Sequence, residues 1–279
     1  HRQGGLTRRP VRSTVSLIRT MPGSILSTVN GTLATITIAN PGKLNAVDLG
    51  MWQQLESTVR HLSWDDSLRC IVLRGEGKEA FAAGGDLEEF LTARDTVDRA
   101  MHYHGCVGKA LRAIADCRHP TLALIHGACI GGGLEIAGQC DLRIAGESAR
   151  FGAPINRAGF SMYPEEMAGL LRLVGPAVVL EILLEGRIFS ATEALQKGLL
   201  TRVVGDAQLE DEVAAAARRI SDGAPLVARW HKQWARRLQQ DTPLSEEELR
   251  ASFAFLDTHD YQEGLSAFLE KRKPDFRGK

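Results

Sequence analysis

His126-Gly127-Ala128-Cys129-Ile130-Gly131-Gly132-Gly133-Leu134-Glu135 follows directly on the apolar run Thr121-Leu122-Ala123-Leu124-Ile125. That run is short and bounded by Pro120 and Gly127, so it reads as a buried strand. The three glycines behind it open a helix that continues to about Cys140. Glycine lets the backbone approach a ligand closely and adopt φ values closed to other residues. The unpaired N–H groups of a helix's first turn attract negative charge. A second glycine pair stands in Phe81-Ala82-Ala83-Gly84-Gly85-Asp86-Leu87, downstream of the strand Cys70-Ile71-Val72-Leu73. Two such donors converging on one oxygen would form an oxyanion hole. Removing one donor from such a hole typically costs about 10²–10³ in rate.

Outward from these two points the chain alternates strands and helices. Ile25–Val29 and Leu33–Ile38 read as strands around an Asn30-Gly31 hairpin turn. Asp48 can cap a helix running to about Leu62, with Leu49, Trp52, Leu55, Val59 and Leu62 at helical spacing. A long helical region covers roughly Thr96 to Asp116 before Pro120, and Leu142–Ala145 is a further strand. Beyond about Pro164 the text is helix after helix: Glu165–Leu173, Pro176–Leu184, Thr192–Lys197, Leu209–Ser221, Leu226–Gln239, Glu246–Leu256 and Tyr261–Lys271. Strands separated by helices favour crossover units, so the fold class expected is α/β with a helical C-terminal region. The expected organisation is a basic extension over 1–20, a core over 21–200 and a helical oligomerisation or lid region over 201–279.

Composition narrows the function classes. A chain of 279 residues that is 44% hydrophobic can bury a sizeable core. Its 34 basic residues are balanced by 34 acidic ones, which speaks against a nucleic-acid binder. Cys70, Cys106, Cys117, Cys129 and Cys140 contain no C-x-x-C pair. An odd, scattered set argues against a disulfide framework or a zinc cage and fits a reducing compartment. No apolar stretch approaches the roughly 18 residues that would span a bilayer. His1 to Thr20 carries Arg2, Arg8, Arg9, Arg12 and Arg19 with no acid. It reads as a tag, an upstream start or a transit segment.

Phosphate binding is the obvious competitor for glycine-rich turns, and the spacing rejects it. Gly75-Glu76-Gly77-Lys78-Glu79 lacks both the spacing of a phosphate loop and its magnesium-binding hydroxyl. Gly131-Gly132-Gly133 is not a dinucleotide fingerprint, since Glu135 and Ile136 occupy the later positions.

The two glycine segments resemble the signature of the enoyl-CoA hydratase/isomerase (crotonase) superfamily. The resemblance runs from about Ser24 to the C-terminus and includes Asn40-Pro41-Gly42-Lys43-Leu44-Asn45-Ala46 and Phe268-Leu269-Glu270-Lys271-Arg272-Lys273-Pro274. It implies a spiral of ββα units with a helical C-terminal region, assembled as a homotrimer or homohexamer. It also implies an acyl-coenzyme A substrate, with oxyanion donors at the N–H groups of Gly85 and Gly132. Lys43, Leu44, Ala83, Asp86 and Leu87 would line the coenzyme path, and Phe268 and Lys271 would reach the nucleotide of the same or a neighbouring subunit. Coenzyme A enters only as part of the substrate; no cofactor and no metal are expected.

The carboxylates choose the reaction, because a thioester enolate needs a nearby acid or base to move a proton. Glu135 matches the first of the two glutamates with which typical hydratases hold a water. The second should follow Phe-Gly-x-Pro, but Phe151-Gly152-Ala153-Pro154 leads to Ile155. Glu165 falls where dienoyl-CoA isomerases and 3-hydroxyisobutyryl-CoA hydrolase carry an aspartate, with one extra residue before Pro164. Glu165 and Glu166 also fit the bland role of first-turn helix acids. Catalytic residues expected are therefore Glu135 and Glu165, in an enoyl-CoA hydratase or isomerase of fatty acid or related acyl-CoA metabolism.

Two alternatives remain at the level of sequence. One is a short-chain acyl-CoA hydrolase, suggested by Ala83-Gly84-Gly85-Asp86 and Glu165. The other is a non-catalytic crotonase-fold protein that binds RNA through the basic patch Arg229–Arg237, against which near-zero net charge speaks. His102 and His104 point to different helix faces, so they form no metal site, and His126 reads as structural. The expected location is cytoplasmic, or the mitochondrial matrix if residues 1–20 are a transit segment.

Overall fold

Alternate strands of the chain feed two different sheets, and this alternation positions everything that follows. The computed structural model describes residues 22–279, so the arginine-rich segment lies outside the described residues. The strands are β1 (Ser24–Asn30), β2 (Leu33–Ala39), β3 (Cys70–Gly75), β4 (Ala80–Ala82), β5 (Thr121–Ile125), β6 (Ala128–Ile130), β7 (Leu142–Gly146), β8 (Arg150–Gly152), β9 (Phe189–Ser190) and β10 (Arg202–Val204). The larger sheet has the order β1-β2-β3-β5-β7-β10, parallel except for the β1–β2 hairpin. The smaller sheet has the order β4-β6-β8-β9, in which β4, β6 and β8 run parallel.

Between them lie α1 (Leu49–Ser63), α2 (Leu87–Ala93), α3 (Val97–Asp116), α4 (Gly132–Gln139) and α5 (Pro164–Glu185). The C-terminal helices are α6 (Ala191–Gln196), α7 (Leu209–Ser221), α8 (Pro225–Arg237), α9 (Glu246–Ala251) and α10 (His259–Glu270). The chain therefore repeats strand, strand, helix: β3-β4 then α2 and α3, β5-β6-α4, and β7-β8-α5. This is the ββα spiral expected from the sequence. Trp52, Phe81 and Phe151 are among the largest fully buried side chains at its centre. Each such side chain contributes roughly 1.5–3 kcal/mol by leaving water.

Several boundaries differ from the sequence reading, each for a local reason. The register pairs Asn30 with Leu33, so the hairpin loop is Gly31-Thr32, with the positive φ of 59° falling on Gly31. Asp48 does cap α1, accepting from the Met51 N–H at 2.8 Å. The helices read separately before and after Gly175 form one element broken there, because Gly175 has a φ of 76° and Pro176 follows it. By length and composition α5 could cross a membrane, contrary to the sequence reading. Its break at Gly175 and its packing on α4 mark it as part of this fold. β10 pairs with β7, and α7 packs on β3, β5 and β7, so the core continues past residue 200.

Candidate active site

Two glycine turns meet where the sheets end. Gly84 has a φ of 104° and Gly131 a φ of 51°, values that L side chains rarely adopt. Each turns the next amide, that of Gly85 or of Gly132, away from the strand it follows. A Cβ placed on Gly132 would lie 3.6 Å from the carbonyl carbon of Gly84, so the two turns are in contact. Neighbouring amides are already used: Val47 N–H donates to Gly84 O at 2.8 Å, Asp86 N–H to Val47 O at 3.2 Å, and Gly131 N–H to Gly152 O at 2.8 Å. The N–H groups of Gly85 and Gly132 donate to no described residue. Gly132 is the first residue of α4, where no intrahelical acceptor exists. Both glycines line one cavity of about 160 Å³.

Two carboxylates face the same cavity. Glu135 comes from the first turns of α4 and is 6% exposed. Burial, then the negative charge of Glu166, pushes its carboxyl well above the ordinary glutamate range. Glu166 comes from α5 and is also 6% exposed. Its Oε1 is 2.5 Å from His104 Nδ1. On its other side His104 Nε2 lies 3.1 Å from Arg94 Nη1. A guanidinium has only N–H groups to offer, so Nε2 accepts and the ring proton sits on Nδ1, which donates to Glu166. The imidazole is stacked on Tyr163, with centroids 5.2 Å apart. Glu166 is thus held in place as an acceptor.

The structure separates the two acids of the α5 first turn. Glu165 is not on the cavity wall; its half-exposed side chain pairs with Arg112 at 2.5 Å. Pro164 is the first residue of α5, and each further helical residue turns the side chain by about 100°. Glu165 therefore meets Gly108 and Arg112 of α3, and Glu166 meets His104 one turn earlier. Ile155 lines the cavity where the hydratase pattern would place a second glutamate. The second carboxylate of this cavity is Glu166, not Glu165.

The remaining sequence candidates divide. Ala83 and Leu87 line the cavity. Lys43 and Leu44 stand beside it: Ala83 N–H donates to Leu44 O at 3.0 Å, and Lys43 Nζ bonds Asp86 at 2.7 Å and Glu88 at 2.9 Å. The Asp86 carboxylate, followed by that of Glu88, holds the Lys43 ammonium above its ordinary range. Asp86 also caps α2, accepting from Glu88 N–H at 3.2 Å. Phe268 and Lys271 lie at the end of α10, outside the cavity wall, with Phe268 81% exposed. The basic patch on α8 is internally neutralised. Arg229 pairs with Asp66, Lys232 with Asp141, Arg236 with Asp116 and Arg237 with Glu248. No cluster of three metal-ligating side chains occurs among the described residues.

Sequence reasoning passed over Arg94, Tyr103 and the role of His104. A signal for His104 exists: it shares a helical stripe with Val107, Gly108 and Leu111, three buried positions, so a histidine there faces inward.

Comparison with known proteins places this geometry among relatives. A family model described as enoyl-CoA hydratase/isomerase matches residues 7–279. The short-chain-enoyl-CoA hydratase of Clostridium acetobutylicum is 31% identical over 246 residues, covering 87% of this chain and 93% of that protein. A solved enoyl-CoA hydratase/carnithine racemase from Magnetospirillum magneticum is 47% identical with a TM-score of 0.90, covering 91% of this chain and 96% of that one. An enoyl-CoA hydratase from Bacillus anthracis superposes with a TM-score of 0.84 at 27% identity, covering 92% of this chain and 100% of that one.

Proposed function

The chain belongs to the enoyl-CoA hydratase/isomerase family, and on that premise we propose that it hydrates or isomerises an enoyl-coenzyme A thioester through a stabilised enolate. The observation that carries this reading is the meeting of two buried carboxylates, Glu135 and Glu166, with two unpaired backbone amides, those of Gly85 and Gly132. The thioester oxygen sits between the two N–H groups, which stabilise the negative charge that grows on it as the enolate forms.

In hydration, Glu166 takes a proton from a water whose oxygen attacks Cβ. Glu135, whose carboxyl burial pushes well above the ordinary glutamate range, delivers a proton to Cα as the enolate collapses. In isomerisation the same pair removes a proton from one carbon and returns one to another. Ile155 takes no part in proton transfer, and Glu166 replaces the carboxylate missing there. The chemistry requires no cofactor beyond the coenzyme A of the substrate. Lys43, Leu44, Ala83, Asp86 and Leu87 flank the coenzyme path, and Phe268 and Lys271 reach a nucleotide in an assembled oligomer.

Assembly as a homotrimer or homohexamer is supported by the apolar side chains that the single chain leaves at its surface. Leu180 and Leu184 on α5, and Phe268 and Leu269 on α10, are exposed. Light scattering on the purified chain tests it. Five buried, unpaired cysteines support a reducing compartment, the cytoplasm or the mitochondrial matrix.

The test is turnover of crotonyl-CoA and of a 3-enoyl-CoA by wild type, Glu135→Gln and Glu166→Gln, with release of coenzyme A thiol followed in parallel. Loss of water addition or double-bond migration in both variants supports the reading. Thiol release as the main reaction would replace it with acyl-CoA hydrolysis.

A further inference from the structure

The cavity wall holds a cation with no carboxylate partner among the described residues. The Arg94 guanidinium lies between two phenyl rings, 3.5 Å from the centroid of Phe90 and 4.2 Å from that of Phe160. Its one hydrogen bond to a described residue goes to His104 Nε2. Among the described residues no carboxylate oxygen lies within 4.0 Å of it, whereas most of the described arginines are paired, Arg187 with three acids and Arg272 with two. Aromatic rings offset part of the cost of desolvating a guanidinium but satisfy none of its in-plane donors. A second polar group on the same wall is unsatisfied. The Tyr103 hydroxyl belongs to a residue 2% exposed and has no hydrogen-bond partner among the described residues. A buried donor left unmade is costly, and the Tyr103 hydroxyl together with a half-buried guanidinium that lacks an acid marks a polar stretch of this wall that a ligand group can satisfy.

We propose that Arg94 is a specificity-determining residue and that the acyl group accepted here carries a carboxylate at its far end, as in the monothioester of a short dicarboxylic acid. This rests on the acyl-coenzyme A reading above and names the acyl chain it takes. The in-plane N–H groups of Arg94 match a carboxylate in a two-pronged bond. One imidazole separates Arg94 from Glu166, so the distal carboxylate lies a short chain's length from the atoms that exchange protons. A purely hydrocarbon chain would offer the half-buried guanidinium no acceptor.

Calorimetric titration of the full chain with glutaryl-CoA and with valeryl-CoA, which has a methyl in place of the distal carboxylate, tests this without requiring turnover. Wild type is expected to bind glutaryl-CoA about 10- to 100-fold more tightly, the range for one charge-assisted hydrogen-bonded pair. R94M is expected to abolish that preference by weakening glutaryl-CoA, and R94K, which keeps the charge but not the fork, to retain part of it. Equal binding of the two thioesters by wild type, or an equal loss for both in R94M, overturns the assignment and leaves the acyl-CoA reading standing. Failure of both thioesters to bind wild type removes the acyl-CoA reading, and this inference with it.

Discussion

Glu166 Oε1 accepts a hydrogen bond from His104 Nδ1 at 2.5 Å across 62 residues of sequence. The bond joins α5 to α3 and leaves the carboxylate facing Glu135, so two helices of the spiral each contribute one acid to a single cavity. Its immediate neighbour Glu165 faces Arg112 on the outside.

The first consequence separates the two acids. Glu166→Gln should lower kcat on an enoyl-CoA by about 10²–10⁴-fold, the usual share of a general acid or base. Glu165→Gln, which loses only a half-exposed ion pair worth about 0–1 kcal/mol, should stay within about threefold of wild type. Steady-state kinetics on both variants decides it; the reverse ranking would place the wrong acid in the cavity.

His104 positions Glu166 and does not touch substrate in this reading. His104→Ala should lower kcat more than it changes KM, by about 10- to 100-fold, since the transition state needs the oriented carboxylate. His104→Asn, which keeps an N–H donor, should recover part of the loss. A rise in KM alone would show that the histidine serves binding instead.

Glu135 makes stability depend on pH. Its folded-state pKa lies above the unfolded value near 4.5, so the folded state binds the extra proton. The stabilisation this gives is full below the unfolded pKa and is lost as pH rises toward the folded one. Glu135→Gln, which cannot ionise, should therefore melt increasingly above wild type as pH rises from about 5 to 8, each kcal/mol raising Tm by about 2–4 °C. Thermal melts at constant ionic strength check this; a gap that stays constant with pH would mean that Glu135 does not titrate in that window.

The cysteines should be silent in the native state. All five are buried, and burial pushes the thiols of Cys70 and Cys140 up to about 12 and raises those of Cys117 and Cys129. A thiol reagent at pH 8 should label the folded chain slowly and reach five equivalents only after denaturation. Rapid native labelling would show that the core opens readily.

Much of this was legible in the residue pattern, and its limits have physical causes. Thr121–Ile125 and Leu209–Ser221 match their elements residue for residue, because each is a strongly patterned segment with clear punctuation. The glycine turns were legible because L side chains rarely adopt the φ of 104° at Gly84 or the combination of φ 51° and ψ −115° at Gly131. The three-residue strands β4, β6 and β8 were not, since such short segments carry no periodicity of their own. The choice between Glu165 and Glu166 turned on one residue of register at a helix start, where both satisfy the same first-turn preference. Only the packing of α5 against His104 separates them. Arg94 was invisible for a similar reason, as the rings that flank it come from positions 90 and 160.

The polarised thioester can be observed directly in the carbonyl stretch of a bound, non-reacting ligand. Isotope-edited infrared difference spectra of butyryl-CoA labelled with ¹³C at the thioester carbonyl isolate that one band. Two N–H donors, from Gly85 and Gly132, on one oxygen predict a shift to clearly lower wavenumber in the complex than in free solution. A bound ligand whose carbonyl band stays at its solution position would contradict the oxyanion site on which the proposed chemistry depends.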